Sequence, residues 1–219
     1  MLVNQVYAFD WDGTLADSTG RIVFAFYEAF DELNTTPPSE QAIRNVIGLA
    51  LPVAIATLLP DASPGFQQRL AEAYHRHYFK IDEPVRLYPG ARQLLEELNS
   101  AGHLVTVATG KSVRGLNQAI EQTQIGDLIH YTQTAEQSRS KPDPQMLYNI
   151  ADFCGVEVTR LVMIGDTDFD IQMGHNAGCR SIAICHGAHQ LDRLEQVAPE
   201  HIVADLPSLG DYLRASVGE

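Results

Sequence analysis

The chain has 219 residues, 45% of them hydrophobic, enough to bury one large domain or a domain carrying an insertion. Lys and Arg number 15 against 28 Asp and Glu, a formal net charge of −13 with no basic cluster to offset it, which excludes nucleic acid and anionic membrane as natural partners. No apolar run approaches the ~18 residues of a membrane span. The first residues show no basic-then-apolar leader, and Cys154, Cys179 and Cys185 lack paired spacing, so the expectation is a cytoplasmic protein with reduced thiols.

Val6 to Phe9 reads as a short buried strand that ends in Asp10-Trp11-Asp12-Gly13-Thr14, two aspartates followed by a glycine that permits a tight turn. Ile22, Phe26, Ala29, Phe30 and Leu33 then recur at three- and four-residue spacing, one helical stripe, which Thr35-Thr36-Pro37-Pro38 breaks. Ser39 is placed to cap a short helix running to Ile47, and Gly48 and Pro52 punctuate before a helix over Val53–Leu59. Ser63-Pro64 opens a third, striped by Phe66, Leu70, Tyr74, Tyr78 and Ile81. No strand-like alternation interrupts this stretch.

After Tyr88-Pro89-Gly90 the pattern changes. A helix over 91–101 closes at Gly102, then come a strand at Leu104–Ala108, a helix from Ser112 to Thr123, a strand at Leu128–Tyr131 and a helix from Pro144 to Cys154 ended by Gly155. A strand at 161–164, a helix after Asp168, a strand at 181–185, a helix near 190–197, a short strand at 201–203 and a last helix follow. Alternating strands and helices predict an α/β fold, a Rossmann-like parallel sheet covered on both faces. One helix suffices for a crossover, so residues from about 16 to 86 are surplus to the sheet. The expected organisation is a core of residues 1–15 and 88–219 with an inserted α-helical cap at 16–87.

Ligands of open α/β sheets bind beyond the carboxyl ends of the strands. Asp10, Thr109 and Asp166 each fall at such an end, and Lys141 reaches them from a loop. Carboxylates ~4 Å apart repel by ~4 kcal/mol at an effective dielectric near 20, so Asp10, Asp12, Asp166 and Asp170 gathered together require a cation. Mg²⁺ suits a site of few carboxylates plus waters and phosphate, and no His/Cys set competes for it. Asp10 is the expected nucleophile toward phosphorus, forming an aspartyl-phosphate. Asp12 is the expected general acid and then base. Lys141, the Thr109 hydroxyl and the Gly110 amide are expected to hold the phosphoryl oxygens.

On these segments the chain resembles the haloacid dehalogenase superfamily, in its phosphoglycolate phosphatase-like branch with a helical cap. Phe9-Asp10-Trp11-Asp12-Gly13-Thr14-Leu15, Ala108-Thr109-Gly110-Lys111, Lys141-Pro142 and Gly165-Asp166-Thr167-Asp168-Phe169-Asp170 look like its four motifs, in order and over essentially the full length. The resemblance implies Mg²⁺ held by the Asp10 side chain, the Asp12 main-chain carbonyl and Asp166, with Asp170 acting behind them or through water. Gly110 departs from the asparagine that many relatives carry, and Ala50 from a frequent proline in the cap's substrate loop. Both departures bear on which substrate is taken, not on phosphatase chemistry. An acid at position 12 argues against dehalogenase activity.

The resulting expectation is a Mg²⁺-dependent phosphatase acting on a small phosphorylated metabolite, phosphoglycolate-like or a sugar phosphate. A phosphomutase of the β-phosphoglucomutase kind is the enzymatic alternative, and a phospho-receiver module the non-enzymatic one. The large helical insertion and the Asp10/Asp12 spacing oppose the receiver. Arg44, Lys80, Lys111 and Arg114 are the basic candidates for a second anionic group of the substrate, and His189 a candidate for the rim of the site. Oligomeric state is not legible in the residues.

Overall fold

The computed structural model describes residues 5–216. Six parallel strands form one sheet in the order β5-β4-β1-β6-β7-β8: β5 (Tyr131–Thr134), β4 (Leu104–Thr109), β1 (Val6–Phe9), β6 (Leu161–Gly165), β7 (Arg180–Ile184) and β8 (His201–Val203). The outward strand order changes direction beside β1, which places the ligand crevice at its carboxyl end. Phe9 pairs with Val107 on one side and Ile164 on the other, so the three central strands finish level.

β1 shows why both faces are covered. Tyr7 and Phe9 join a core with Leu94, Leu95 and Leu98 of α5 (Ala91–Ser100), Leu116 of α6 (Val113–Thr123), and Leu209 and Leu213 of α10 (Leu206–Ser216). Val6 and Ala8, one residue out of phase, face Met146, Leu147 and Ile150 of α7 (Gln145–Cys154) and Met173 of α8 (Asp168–Ala177). Every strand residue of β1 is buried, as a doubly covered parallel strand demands. α9 (Leu191–Gln196) contributes Leu194 to a smaller cluster beside β7.

Between β1 and α5 the chain forms four helices, α1 (Thr19–Glu32), α2 (Glu40–Arg44), α3 (Leu51–Leu58) and α4 (Pro64–Lys80). They bury their own apolar cluster, with Phe26, Phe30, Ile43, Ile55, Leu70 and Tyr74 among its members. Ser39 and Ser63 cap α2 and α4 through their hydroxyls, taking the N–H groups of Ala42 and Phe66. The two ends of this helical segment are clamped by a short antiparallel pair, β2 (Ala16–Asp17) with β3 (Arg86–Leu87).

Three local expectations are corrected. Residues 16–17 and 86–87 pair as strands, although two-residue strands carry no readable alternation. The strand expected at Leu128–Tyr131 lies at Tyr131–Thr134 instead, because Gly126–Leu128 closes as a 3₁₀ turn and the polar Gln133 and Thr134 are buried against β4. Pro52 sits inside the first turn of α3 rather than before the helix, where its missing N–H costs nothing.

Candidate active site

Immediately after β1, Trp11 carbonyl accepts from the N–H groups of Leu15 and Ala16 at 3.1 and 2.9 Å, folding the chain into a tight loop that presents Asp10 and Asp12. Gly13 in this loop adopts φ +95°, and a Cβ there would lie 2.2 Å from Asp166 Oδ2. Gly13→Ala is therefore expected to cost about 2–3 kcal/mol from left-handed backbone and clash together. A thermal melt beside an assay of cation binding checks this; an unchanged melting temperature would contradict the close approach.

Asp10, Asp166 and Asp170 gather at the carboxyl ends of β1 and β6, each offering a carboxylate oxygen within 4.8 Å of the others, and all fully buried. Asp166 is fixed by the Thr14 hydroxyl, which donates to Oδ1 at 2.6 Å, and by the Ala188 N–H, which donates to Oδ2 at 2.7 Å. Asp170 closes the capping box of α8: its Oδ2 accepts from Thr167 N–H at 3.1 Å and Thr167 Oγ1 at 2.6 Å. Lys141, buried, stands between Asp10 and Asp170, its Nζ 2.7 Å from Asp10 Oδ1 and 2.6 Å from Asp170 Oδ1. Neither Asp10 oxygen accepts a well-directed hydrogen bond. The Lys141 contact to Asp10 is thus an ion pair by distance, and the carboxylate keeps lone pairs free.

Burial foremost, opposed by Lys141 and reinforced by Asp170 and Asp166, pushes the Asp10 carboxyl well above its ordinary range. Burial and then Asp170 raise Asp166 to about 6, against the pull of Thr14, Ala188 and His189. For Lys141, burial favours the neutral amine, but Asp10 and Asp170 more than offset it and its pKa is raised. The cluster therefore carries more acid than one ammonium neutralises. A hard divalent cation fits it on donor chemistry: buried carboxylate oxygens converging from three residues, one of them with unengaged lone pairs. Asp170 Oδ1 and Oδ2 are committed to Lys141 and to two donors of Thr167, whereas each Asp166 oxygen accepts one hydrogen bond and keeps a second lone pair, so Asp10 and Asp166 could hold such an ion.

Asp12 turns away from this group. Its carboxylate accepts from Lys111 Nζ at 2.8 and 2.9 Å and from Ser18 Oγ at 2.6 Å. The expectation that its side chain adds to the crowded acids is corrected: Asp10 and Asp12 are two residues apart, and the second carboxylate has its own cation. Burial pulls the Lys111 pKa down, and Asp12 and Tyr78 more than reverse that. The same ammonium donates to the Tyr78 hydroxyl of α4 at 2.9 Å, so it links the sheet end to the helical segment.

A cavity of about 390 Å³ opens from Asp10 and Asp12 toward the helical segment, with Thr109, Gly110 and Lys111 on its sheet side. Thr109 Oγ1 accepts from the Lys111 N–H at 3.2 Å, which leaves its own hydrogen free to donate. The loop after α2 closes over this region. Ala50 N–H donates to Ser140 Oγ at 2.9 Å, and a Cβ on Gly110 would meet the carbonyl oxygens of Gly48 and Leu49 at 2.4 and 2.6 Å. That close approach gives the glycine at position 110 a physical reason.

Other sequence-named residues lie elsewhere. Arg44 pairs with Glu40 and donates to Thr19, Lys80 is exposed, and Arg114 lies over the Phe79 ring on an exposed face. Lys111 and Arg114 belong to the stretch around α6, outside the helical segment. His189 does not reach the rim: it is buried, accepting from the Asp168 N–H at Nδ1 and meeting Phe169 edge-on. Sequence reasoning gave no role to Ser18, Thr14 or Tyr78. Thr14 sits within the Asp10–Thr14 motif and was findable there, whereas Tyr78 joins the site only through packing of α4.

The model of a family described as haloacid dehalogenase-like hydrolase matches residues 7–184. Among curated proteins, the chain is 30% identical over 202 residues to "Probable phosphatase IndB" of Dickeya dadantii, covering 89% of this chain and 87% of that one. It is 26% identical to the phosphoglycolate phosphatase of Vibrio cholerae, covering 97% and 98% of the two chains. Among solved structures, a hydrolase from Pseudomonas syringae superposes with a TM-score of 0.89 at 23% identity, over 96% and 98% of the chains, a likeness that concerns the fold.

Proposed function

The chain belongs to the haloacid dehalogenase-like hydrolase family and is a phosphoric monoester hydrolase, and from that premise we propose that it releases phosphate from a small phosphorylated metabolite through an aspartyl-phosphate on Asp10. The observation that carries this reading is Asp10 itself. A buried carboxylate without a directed hydrogen bond, ion-paired to Lys141 and open to the cavity, has the free lone pairs a nucleophile needs.

Asp10 Oδ attacks phosphorus, and the bond from phosphorus to the ester oxygen breaks as the new bond forms. The departing oxygen takes a proton from Asp12, which enters this step in its acid form and which Lys111 and Ser18 hold at the cavity wall. Asp12 then removes a proton from water as that water attacks phosphorus, the Asp10–phosphorus bond breaks, and phosphate leaves. Proton transfer of this kind contributes ~10²–10⁴ in rate. The Thr109 hydroxyl, the Gly110 N–H and the Lys141 ammonium supply donors for the phosphoryl oxygens. A divalent cation, with Mg²⁺ the natural choice, would be held by Asp10, Asp166 and the Asp12 main-chain carbonyl; bound there, it supplies charge neutralisation for acids and phosphoryl group alike. Residues 16–87 act in this proposal as a cap over the reacting groups, turning about β2 and β3.

Cation dependence has a sign that follows from the acids. Asp166, raised to about 6 in the fold against ~3.9 unfolded, binds more protons folded than unfolded between those values. Its contribution to stability is present at low pH and lost as pH rises through about 6. Mg²⁺ relieves the loss at neutral pH but competes with the proton at pH 5. At a hundredfold excess over its dissociation constant at pH 7.5, Mg²⁺ should stabilise by about 2.7 kcal/mol, roughly 5–11 °C for a chain of this size. At pH 5 and the same concentration the shift should fall to about half. Thermal melts with and without chelator at both pH values check this; an equal shift at both would contradict it.

Steady-state hydrolysis of p-nitrophenyl phosphate and a metabolite panel with Mg²⁺ tests the activity. Isomerised ester in place of free phosphate would turn the reading to a mutase.

A further inference from the structure

Away from Asp10 and Asp12 the cavity turns apolar. Its apolar wall is built by Phe26 of α1, Ile47 and Leu49 of the loop after α2, Val53 of α3, and the rings of Tyr74 and Phe79 of α4. Phe26 and Tyr74 hold their ring centroids 4.7 Å apart, so this wall is a packed surface. The hydroxyls bordering it are neutral, and three of them already accept a hydrogen bond within the protein, keeping one hydrogen each to donate. Ser140 Oγ accepts from Ala50 N–H at 2.9 Å, Ser112 Oγ from Gly115 N–H at 3.1 Å, and Tyr78 hydroxyl from Lys111.

The cations are engaged too. Lys111, the one lysine or arginine among the described residues lining the cavity, has Asp12 at 2.8 Å. Arg21 of α1 donates to the main-chain carbonyls of Tyr78, Ile81 and Glu83, and Arg44 to Glu40. At the edge of the cavity, desolvation foremost, opposed by Glu136 and aided by Arg114, holds His75 below its ordinary value, which favours the uncharged ring. Glu136 brings a negative charge. Above Gly110, the carbonyl oxygens of Gly48 and Leu49 fill the place where a side chain would enter, and these are acceptors, which repel an anion. A carboxylate or second phosphate on the substrate would be buried here with neutral donors alone and no uncommitted cation to offset its charge, whereas apolar surface would leave water at a gain.

We propose that the substrate of this site is the phosphoric monoester of an uncharged alcohol with an apolar body, aryl or branched alkyl, and not a carboxylated or doubly phosphorylated compound. This rests on the phosphatase reading above and narrows it. The cavity's volume lies in the range of small-molecule sites, which are walled by apolar side chains with a few convergent polar groups.

The test compares kcat/KM, with Mg²⁺ present, for 2-phenylethyl phosphate and phosphoglycolate, two esters of primary alcohols. p-Nitrophenyl phosphate reports whether phosphatase activity is present at all. The apolar ester should be preferred by about 10²-fold or more. Val53→Arg, placed at a half-exposed edge of the wall, adds a free cation and should cut that preference at least tenfold by raising the rate on phosphoglycolate. An equal or reversed preference in the wild-type protein overturns the proposal. So does failure to cleave either alkyl ester while p-nitrophenyl phosphate is turned over, or an unchanged preference in a folded Val53→Arg protein. Absence of turnover on all three compounds sinks the phosphatase reading itself, and the narrower claim with it.

Discussion

Asp10→Asn is expected to lower kcat by on the order of 10⁴-fold or more at saturating Mg²⁺ while leaving the protein folded. The carboxamide matches the carboxylate in shape, but its oxygen is a poor nucleophile and it carries no charge for a cation. Stability separates this from a simple loss of structure. Asp10 is raised well above its ordinary range, burial being the chief cause, so at neutral pH its ionised form opposes folding in the absence of a cation. Replacing it removes one of three crowded acids and leaves Lys141 paired with Asp170 at 2.6 Å. The cation-free variant should therefore melt at or above the wild-type temperature and gain less from Mg²⁺. Stopped turnover with a preserved or raised melting temperature identifies a chemical role. Full activity in the variant would remove Asp10 from the reaction.

Lys141→Met should have the opposite stability signature. Among the described residues its ammonium is the one cation paired with both Asp10 and Asp170, and it is buried. Removing one partner from a buried ion pair costs about 3–5 kcal/mol, because the remaining charge keeps its desolvation penalty without its attraction. For a chain of this length that lowers the melting temperature by roughly 6–20 °C. A divalent cation neutralises the same carboxylates, so the deficit should shrink when Mg²⁺ is added, more than the wild-type shift alone explains. Below the melting temperature, loss of the phosphoryl-facing ammonium should lower kcat by on the order of 10²–10³. Melts with and without Mg²⁺, followed by steady-state kinetics, check both parts. A variant as stable as the wild type would mean that solvent reaches these acids.

The chain order of the fold is legible because each element obeys a local rule. β1 is four apolar residues ending in a turn, α4 opens with Ser63-Pro64, and Gly155 and Gly178 close α7 and α8 in left-handed conformation. Where the local signal is polar the reading slips. β5 contains Gln133 and Thr134, buried because β4 needs a partner and not because the residues are apolar. β2 and β3 pair over a separation of 70 residues, with two residues each and no periodicity to see.

The acids of the site are legible for a similar reason: Asp10 and Asp166 each follow a strand, parallel strands ending level bring their successors together, and Asp170 joins them from the first turn of the helix that opens two residues after Asp166. The environment of each carboxylate is not. Lys111 looked like a group for binding a second anion, but it is taken by Asp12 and Tyr78, the latter 33 positions away in α4. Only packing of the helices against the sheet end creates that contact. The same packing decides the character of the cavity, since Ile22, Phe26, Tyr74 and Tyr78 read in sequence as the core stripes of two helices. Their spacing makes each helix amphipathic, yet nothing in it says which part of a stripe is left facing a void.

The most direct test of the central claim is to quench the protein during turnover of a ³²P-labelled phosphomonoester and locate the label after borohydride reduction of the acyl-phosphate. The account predicts one modified residue, Asp10, with labelling that requires a divalent cation. Label on Asp12, on Asp166 or on a non-acidic residue, or turnover with no trapped acyl-phosphate, would contradict it.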